Sequence, residues 1–371
     1  MNAPRAHRPP QGPGHYDNTQ GARPRAIPIT FPPLHHVAAA VALAALSATG
    51  AQAQGVVNAL CSTDAPWCEA AAKEFTRKTG IKVNQAHKGT GEIAAQLRAE
   101  ANNPKTDIWW GGTGDPFLQA AEQGLLAEYR PEYLHDLHSW SVRQYAMSGH
   151  QVGGFYSSAI GFGYNTETLK KKKLPEPQCW SDVIKPAYKG EVEISHPASS
   201  GTAYTVIAGL VQLMGEDQAF DYLKKLHKNT TTYTRSGQAQ APNVAKGEVG
   251  VGITFMFNFE KWKAEKYPVK THAPCEGTSY EVGGIALVKG ARNMDNAKKY
   301  YDWLMGPEGQ AVGAKVGSYQ VPANKTFKMD PRIPTMDDVK LIKYDFEKYG
   351  KSAERKRLID RWTKEVEALP R

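Results

Sequence analysis

Long apolar runs are scarce in this chain. The one that stands out, Val37 to Leu46, is too short to span a bilayer, which takes about 20 residues. It is followed by Ala51-Gln52-Ala53, the small-x-small pattern of an export signal, so residues 1–53 read as a leader cleaved after Ala53 and the remainder as a periplasmic protein. Cysteine is rare as well: Cys61, Cys68, Cys179 and Cys275, with no C-x-x-C pair. That spacing argues against thiolate metal sites, and an even count in an oxidising compartment reads as two disulfides. Of the three possible pairings, Cys61–Cys68 with Cys179–Cys275 is preferred, because the first two flank one short loop. Catalytic signatures are missing: there is no G-x-S-x-G, H-E-x-x-H, Walker loop or paired S-x-x-K. No two carboxylates are set out as an acid and base, so the chain reads as no enzyme, with no cofactor. Lys and Arg outnumber Asp and Glu by 46 to 37, but no basic stripe is interleaved with aromatics, which argues against a nucleic-acid partner.

What is present is a repeating strand–loop–helix pattern. Val56–Leu60 and the stretch from Ile81 read as strands around a helix from Glu69 to Lys78, ended by Gly80. The motif recurs with a helix from Ile93, a strand at Asp107–Trp110 and a helix from Phe117. Such βαβ units predict an α/β fold with parallel strands, whose ligand edge lies at the strands' carboxyl ends. Val152–Tyr164 is Gly-rich and apolar without helical period, and predicts an extended segment linking two lobes. A second block follows, with helices from Thr202 and Gln218, a strand over Val249–Met256 and a return strand over Gly284–Val288.

Three stretches rich in Ser, Thr and Gly run into helical patterns: Ser62-Thr63-Asp64, Ser199-Ser200-Gly201-Thr202 and Arg235-Ser236-Gly237. A helix start carries unpaired N–H groups and the positive end of the helix dipole, so small hydroxyl residues and glycine there let an anion approach closely. Thr90-Gly91 and Thr113-Gly114 offer the same groups after two further strands. Asn258, after one strand, and Glu281, just before the return strand, would suit hydroxyl groups on a ligand. These residues predict capture of a small anion that leaves unchanged.

The segment Gly284-Ile285-Ala286-Leu287-Val288-Lys289-Gly290-Ala291, with Asn296–Leu304 and Gly306-Pro307-Glu308-Gly309-Gln310, resembles the closing part of periplasmic binding proteins of ABC importers. The Cys61-Ser62-Thr63-Asp64 start and the Ala353-Glu354-Arg355-Lys356-Arg357 tail are similar to the branch that contains ferric-ion and hexose-phosphate binders. The resemblance implies a two-lobe α/β fold of type II, with 54–160 and about 282–325 in one lobe and 161–281 and about 326–371 in the other. It implies ABC permease subunits as partners of a monomer. Iron-binding members use adjacent tyrosines where this chain has Phe257-Asn258, and hexose-phosphate members use a His-Asp pair there. Glu281 matches the downstream Glu of the latter, and Ser62, Ser200 and Thr202 match hydroxyl positions on the phosphate. The resemblance therefore implies a phosphate- or phosphonate-bearing solute, with a ferric-iron binder as the alternative. From another class, a secreted phosphoester hydrolase is the rival.

Overall fold

Apolar alternation and well-placed stop signals generate the first unit of the sheet. The computed structural model describes residues 55–371 apart from 338, so the leader and its cleavage after Ala53 lie outside the described residues. Strand β1 (Val56–Cys61) pairs in parallel with β2 (Lys82–His87), and helix α1 (Ala65–Thr79) connects them. The helix begins at Ala65, ahead of the expected Glu69, because Asp64 sits at its N-cap in extended backbone and Pro66 falls in the first turn, where its missing N–H costs nothing. Gly80 ends it at φ 73°, a conformation glycine adopts without strain.

Strand β3 (Ile108–Thr113) runs parallel to β1 on its other side and is followed by helix α3 (Gly114–Glu122), while α2 (Thr90–Ala99) follows β2. The strand runs past its expected end at Trp110 to Thr113, with Gly111 and Gly112 at φ 72° and 84°, and Gly114 and Asp115 open α3. The long strand β5 (Gly153–Asn165) is buried at every position. Its first part pairs antiparallel with β10 (Tyr280–Val288) and β11 (Val321–Pro322). Its second part pairs antiparallel with β8 (Val251–Phe255) and β9 (Val269–His272). Beyond β8 lie β6 (Val192–Ser195) and β7 (Thr230–Thr234), both in parallel, and β4 (Leu126–Ala127) pairs with β10. The strand order is β2-β1-β3-β10-β5-β8-β6-β7, a mixed sheet flanked by helices. Glu281 lies inside β10, opposite Ser158, rather than before the strand as the sequence suggested: Gly283 and Gly284 interrupt the apolar pattern but form a bulge within a continuous strand.

Separate clusters of buried side chains cover the two parts of the sheet. Trp67, Trp110, Phe155 and Tyr300 pack beside β1, β3 and β10, with Trp109 stacked on Phe117 at 3.6 Å. Phe162, Trp180, Tyr204, Phe220 and Trp362 pack around β6, β8 and the second part of β5. Both disulfides form as expected, Cys61–Cys68 and Cys179–Cys275. The charged C-terminal segment becomes a helix over Ser352–Trp362 with a π turn at Thr363–Glu367. Arg357 and Arg361 bind Glu216 at 2.7 and 2.8 Å, fastening it to the helix Glu216–Asn229.

Candidate functional site

A cleft opens where β1, β3 and β6 end and where β5, β8 and β10 pass beneath. Hydroxyls and helix starts line it. Ser62, one residue past β1, accepts from Trp109 Nε1 at 3.0 Å. Thr90 opens α2 and Thr113 caps α3. Ser200 caps helix α4 (Gly201–Met214) and receives a 2.9 Å bond from Ser195 Oγ, which orients its hydroxyl. Thr202 follows in the first turn. None of these caps spends its side chain on its own helix, so the first-turn N–H groups stay without a partner inside the helix.

Glycine brings these starts together. A Cβ on Gly201 would lie 1.8 Å from Thr113 Oγ1 and 2.9 Å from Thr90 Oγ1, distances that real atoms cannot hold. A Cβ on Gly237 would lie 2.1 Å from Thr202 Oγ1. Thr113 Oγ1 is fully buried and meets no hydrogen-bond partner among the described residues. A buried hydroxyl in that condition is satisfied when a ligand supplies the partner. The turn before Gly237 completes the wall: Ser199 Oγ donates to Arg235 O at 2.9 Å, Ser236 Oγ accepts from Gln238 N at 3.3 Å, and the exposed Arg235 guanidinium pairs with Glu92.

The remaining lining has a different character. Phe255 and Phe257 present phenyl rings, and Asn258 is fixed by Nδ2 donating to Thr254 Oγ1 at 2.9 Å. Glu281 reaches the cleft with only 3% of its surface exposed. Burial, then the nearby Asp115 and Asp64, push its carboxyl well above the ordinary range. Asp115, in the first turn of α3, is pushed up to about 7 by burial, against the pull of Arg355 and a bond from Tyr344.

Of the residues singled out in the sequence, Ser62, Thr90, Thr113, Ser199, Ser200, Gly201, Thr202, Ser236, Phe257, Asn258 and Glu281 line this cleft together. Thr63, Gly91 and Gly114 do not reach its surface. Thr63 is fully buried, its Oγ1 accepting from Gln320 Nε2 at 3.1 Å. Gly91 packs under Ala198, and Gly114 packs on the backbone of Val282. Trp110, at one end of the apolar pattern of β3, is a core residue between Trp67 and Phe155. Tyr156 and Gln238 line the cleft without having been picked out. Tyr156 Oη accepts from the Gly112 N–H at 2.6 Å, and only the period-two register of β5, which puts Tyr156 on the same face as Ser158, could have signalled it. Among the described residues, the one grouping of three metal-ligating side chains is Cys179, Cys275 and Glu276, and its sulfurs are joined to each other.

The chain matches the model of a bacterial extracellular solute-binding protein over residues 103–348. It belongs to that family. An uncharacterised Haemophilus influenzae protein is 42% identical over 89% of this chain and 96% of its own length. The periplasmic binding protein AfuA from Actinobacillus pleuropneumoniae, solved with fructose-6-phosphate bound, is 43% identical, covers 85% of this chain and 100% of its own, and superposes with a TM-score of 0.81. A Salmonella typhimurium protein named for binding 2-aminoethylphosphonate in the periplasm is 27% identical over 73% of this chain and 80% of its own. Iron-bound HitA from Pseudomonas aeruginosa shares the fold at 22% identity and a TM-score of 0.70. The mixed sheet with flanking helices is thus the type II periplasmic binding protein fold that the sequence resemblance implied.

Proposed function

We propose that this solute-binding protein captures a small phosphate- or phosphonate-bearing anion in the cleft, leaves it chemically unchanged and delivers it to the membrane subunits of an ABC importer. The observation that carries this reading is the convergence of two helix starts, at Thr90 and Gly201, with Thr113, the cap of a third helix, around the hydroxyls of Thr113, Ser200 and Thr202. Backbone N–H groups and hydroxyls so arranged give charge-assisted bonds to an oxyanion without a resident cation. AfuA, solved with fructose-6-phosphate bound, and the Salmonella relative, named for a phosphonate, support the same class. The lobes would be the two sheet parts that β5 and β10 join, with 54–160 and about 282–325 facing 161–281 and about 326–371. In a family that works outside the cytoplasm, the reading further includes removal of the leader near Ala53 and action as a monomer in the periplasm.

Thermal melting of the chain with phosphate esters, phosphonates, dicarboxylates and ferric salts tests it. A ligand at a hundredfold excess over Kd stabilises by about 2.7 kcal/mol. The expected result is the largest shift with a phosphorus compound, cut at least tenfold in affinity by Ser200→Ala combined with Thr202→Ala. A shift with ferric salts alone, unaffected by that double change, would favour the iron-binding reading. Turnover of a chromogenic phosphate ester would favour the hydrolase.

A further inference from the structure

A second cavity lies along α2 and α3, beyond the ends that reach the cleft. Those helices contribute Ala94, Arg98 and Gln119, and the facing wall is Ala198 with Arg355 and Ile359 of the helix Ser352–Trp362. Arg355 is 8% exposed. A guanidinium presents five N–H groups, yet this one makes a single hydrogen bond among the described residues, Nη2 donating to Pro197 O at 3.1 Å. Its Nη1 is buried without a partner. The Tyr204 ring lies 4.6 Å from its Cζ, a contact that suits a cation but leaves the in-plane N–H groups unused.

The neighbours leave that charge largely unanswered. Asp115 acts on Arg355 without forming an ion pair with it, and burial pushes Asp115 up to about 7, so near neutrality it carries only part of a charge. Arg98, at the exposed rim, makes no ion pair among the described residues and adds a like charge. The one acid of the lining, Asp360, is taken by Lys356. Gln119 is 5% exposed, and its Nε2 is buried without an acceptor. Unpaired donors and an uncompensated cation in one cavity call for a partner from outside. Water supplies acceptors but no countercharge. An oxyanion supplies both, and two of its oxygens match the guanidinium fork.

We propose that this cavity is a second anion site, taking a small divalent oxyanion such as sulfate or a short dicarboxylate between Arg355 and Arg98, beside the Gln119 amide. The site does not depend on what the cleft holds. Its effect is to tie α2 to the C-terminal helix. Helices α2 and α3 are the ones whose starts meet at the cleft, and Ala198 directly precedes Ser199 and Ser200 of its wall. A Cβ on Gly91 would lie 3.0 Å from Ala198 O, so these walls already touch. An anion that binds only where the walls meet shifts the population toward that arrangement.

Calorimetric titration of sulfate and of malonate into the chain carrying Ser200→Ala and Thr202→Ala tests this site apart from the cleft, with sodium chloride at matched ionic strength as the control. Both anions are expected to bind more tightly than chloride. Arg355→Gln should weaken them by about tenfold or more, the loss of one hydrogen bond to a charged group. Arg98→Ala should weaken them by about threefold, as for an exposed ion pair. Arg98 is exposed, so its variant keeps the test open if Arg355→Gln does not fold. Bound sulfate should also slow amide hydrogen exchange on both walls, in α2 and in the helix Ser352–Trp362, and Arg98→Ala should reduce that protection. Binding no tighter than chloride, an affinity unmoved by Arg98→Ala, or protection confined to one wall would each overturn the proposal.

Discussion

At the scale of single residues, burial decides which groups act. Asp115 and Glu281 both hold their protons above the ordinary carboxylate range because they are buried. A raised acid pKa means that the folded chain keeps a proton the unfolded chain has lost, so stability falls as pH climbs from the unfolded value toward the folded one. For Asp115 that window runs from 3.8 to about 7. At about 1.4 kcal/mol per unit the ceiling is about 4 kcal/mol. Carboxylates held down by arginine, such as Glu216 beside Arg357, act in the opposite direction, so the measurement is a comparison. Melting at pH 5 and pH 8 should show a smaller loss for Asp115→Asn than for the unaltered chain; an equal loss would place the Asp115 proton elsewhere. The hydroxyl residues of the site were readable in sequence because Ser, Thr and Gly before a helix have one clear physical use. Tyr156 was not, since a tyrosine in an apolar strand looks the same whether it faces a core or a cleft.

At the scale of elements, the helices and strands followed from periodicity, and their ends depended on caps. Asp64 and Pro66 moved the start of α1 toward β1, and that shift places Ser62 and Thr63 in the tight connection spanned by Cys61–Cys68. The second bridge, Cys179–Cys275, ties positions 96 residues apart. Chain-entropy reasoning gives about 2.5 kcal/mol for the short loop and about 4.7 kcal/mol for the long one. Replacing Cys179 and Cys275 by Ser should therefore lower the melting temperature more than replacing Cys61 and Cys68. The short bridge, flanking Ser62, should instead show its effect as weaker ligand binding. The reverse ranking in melting would mean that the long loop stays ordered when its bridge is gone. Glycine hid one boundary from the sequence: Gly111 and Gly112 look like a turn, yet both continue β3, and their lack of side chains leaves room for Thr63, Ser62 and Thr90.

At the scale of the molecule, the βαβ repeats and the long apolar segment conveyed the α/β class, but the path of the sheet was not legible. Strand β10 returns from far along the chain to lie between β3 and β5, a pairing set by tertiary packing rather than by local pattern. The proposed lobes meet through such shared strands, the cleft contacts and the C-terminal segment, where Ser352 N donates to Glu122 at 3.0 Å and Gln123 Nε2 donates to Ser352 Oγ at 2.8 Å, and a ligand that favours the closed arrangement shifts the population toward it. X-ray scattering should show a smaller radius of gyration when a tight ligand is added; an unchanged radius would mean that capture needs no closure.

The paired cysteines carry a practical corollary. Because all four are consumed in the two bridges, the chain offers no native thiol to a maleimide. An Arg235→Cys change would give a single attachment point, 84% exposed at the mouth of the cleft. An environment-sensitive dye placed there converts occupancy into fluorescence, and the molecule becomes a reagentless gauge of whatever nutrient it carries.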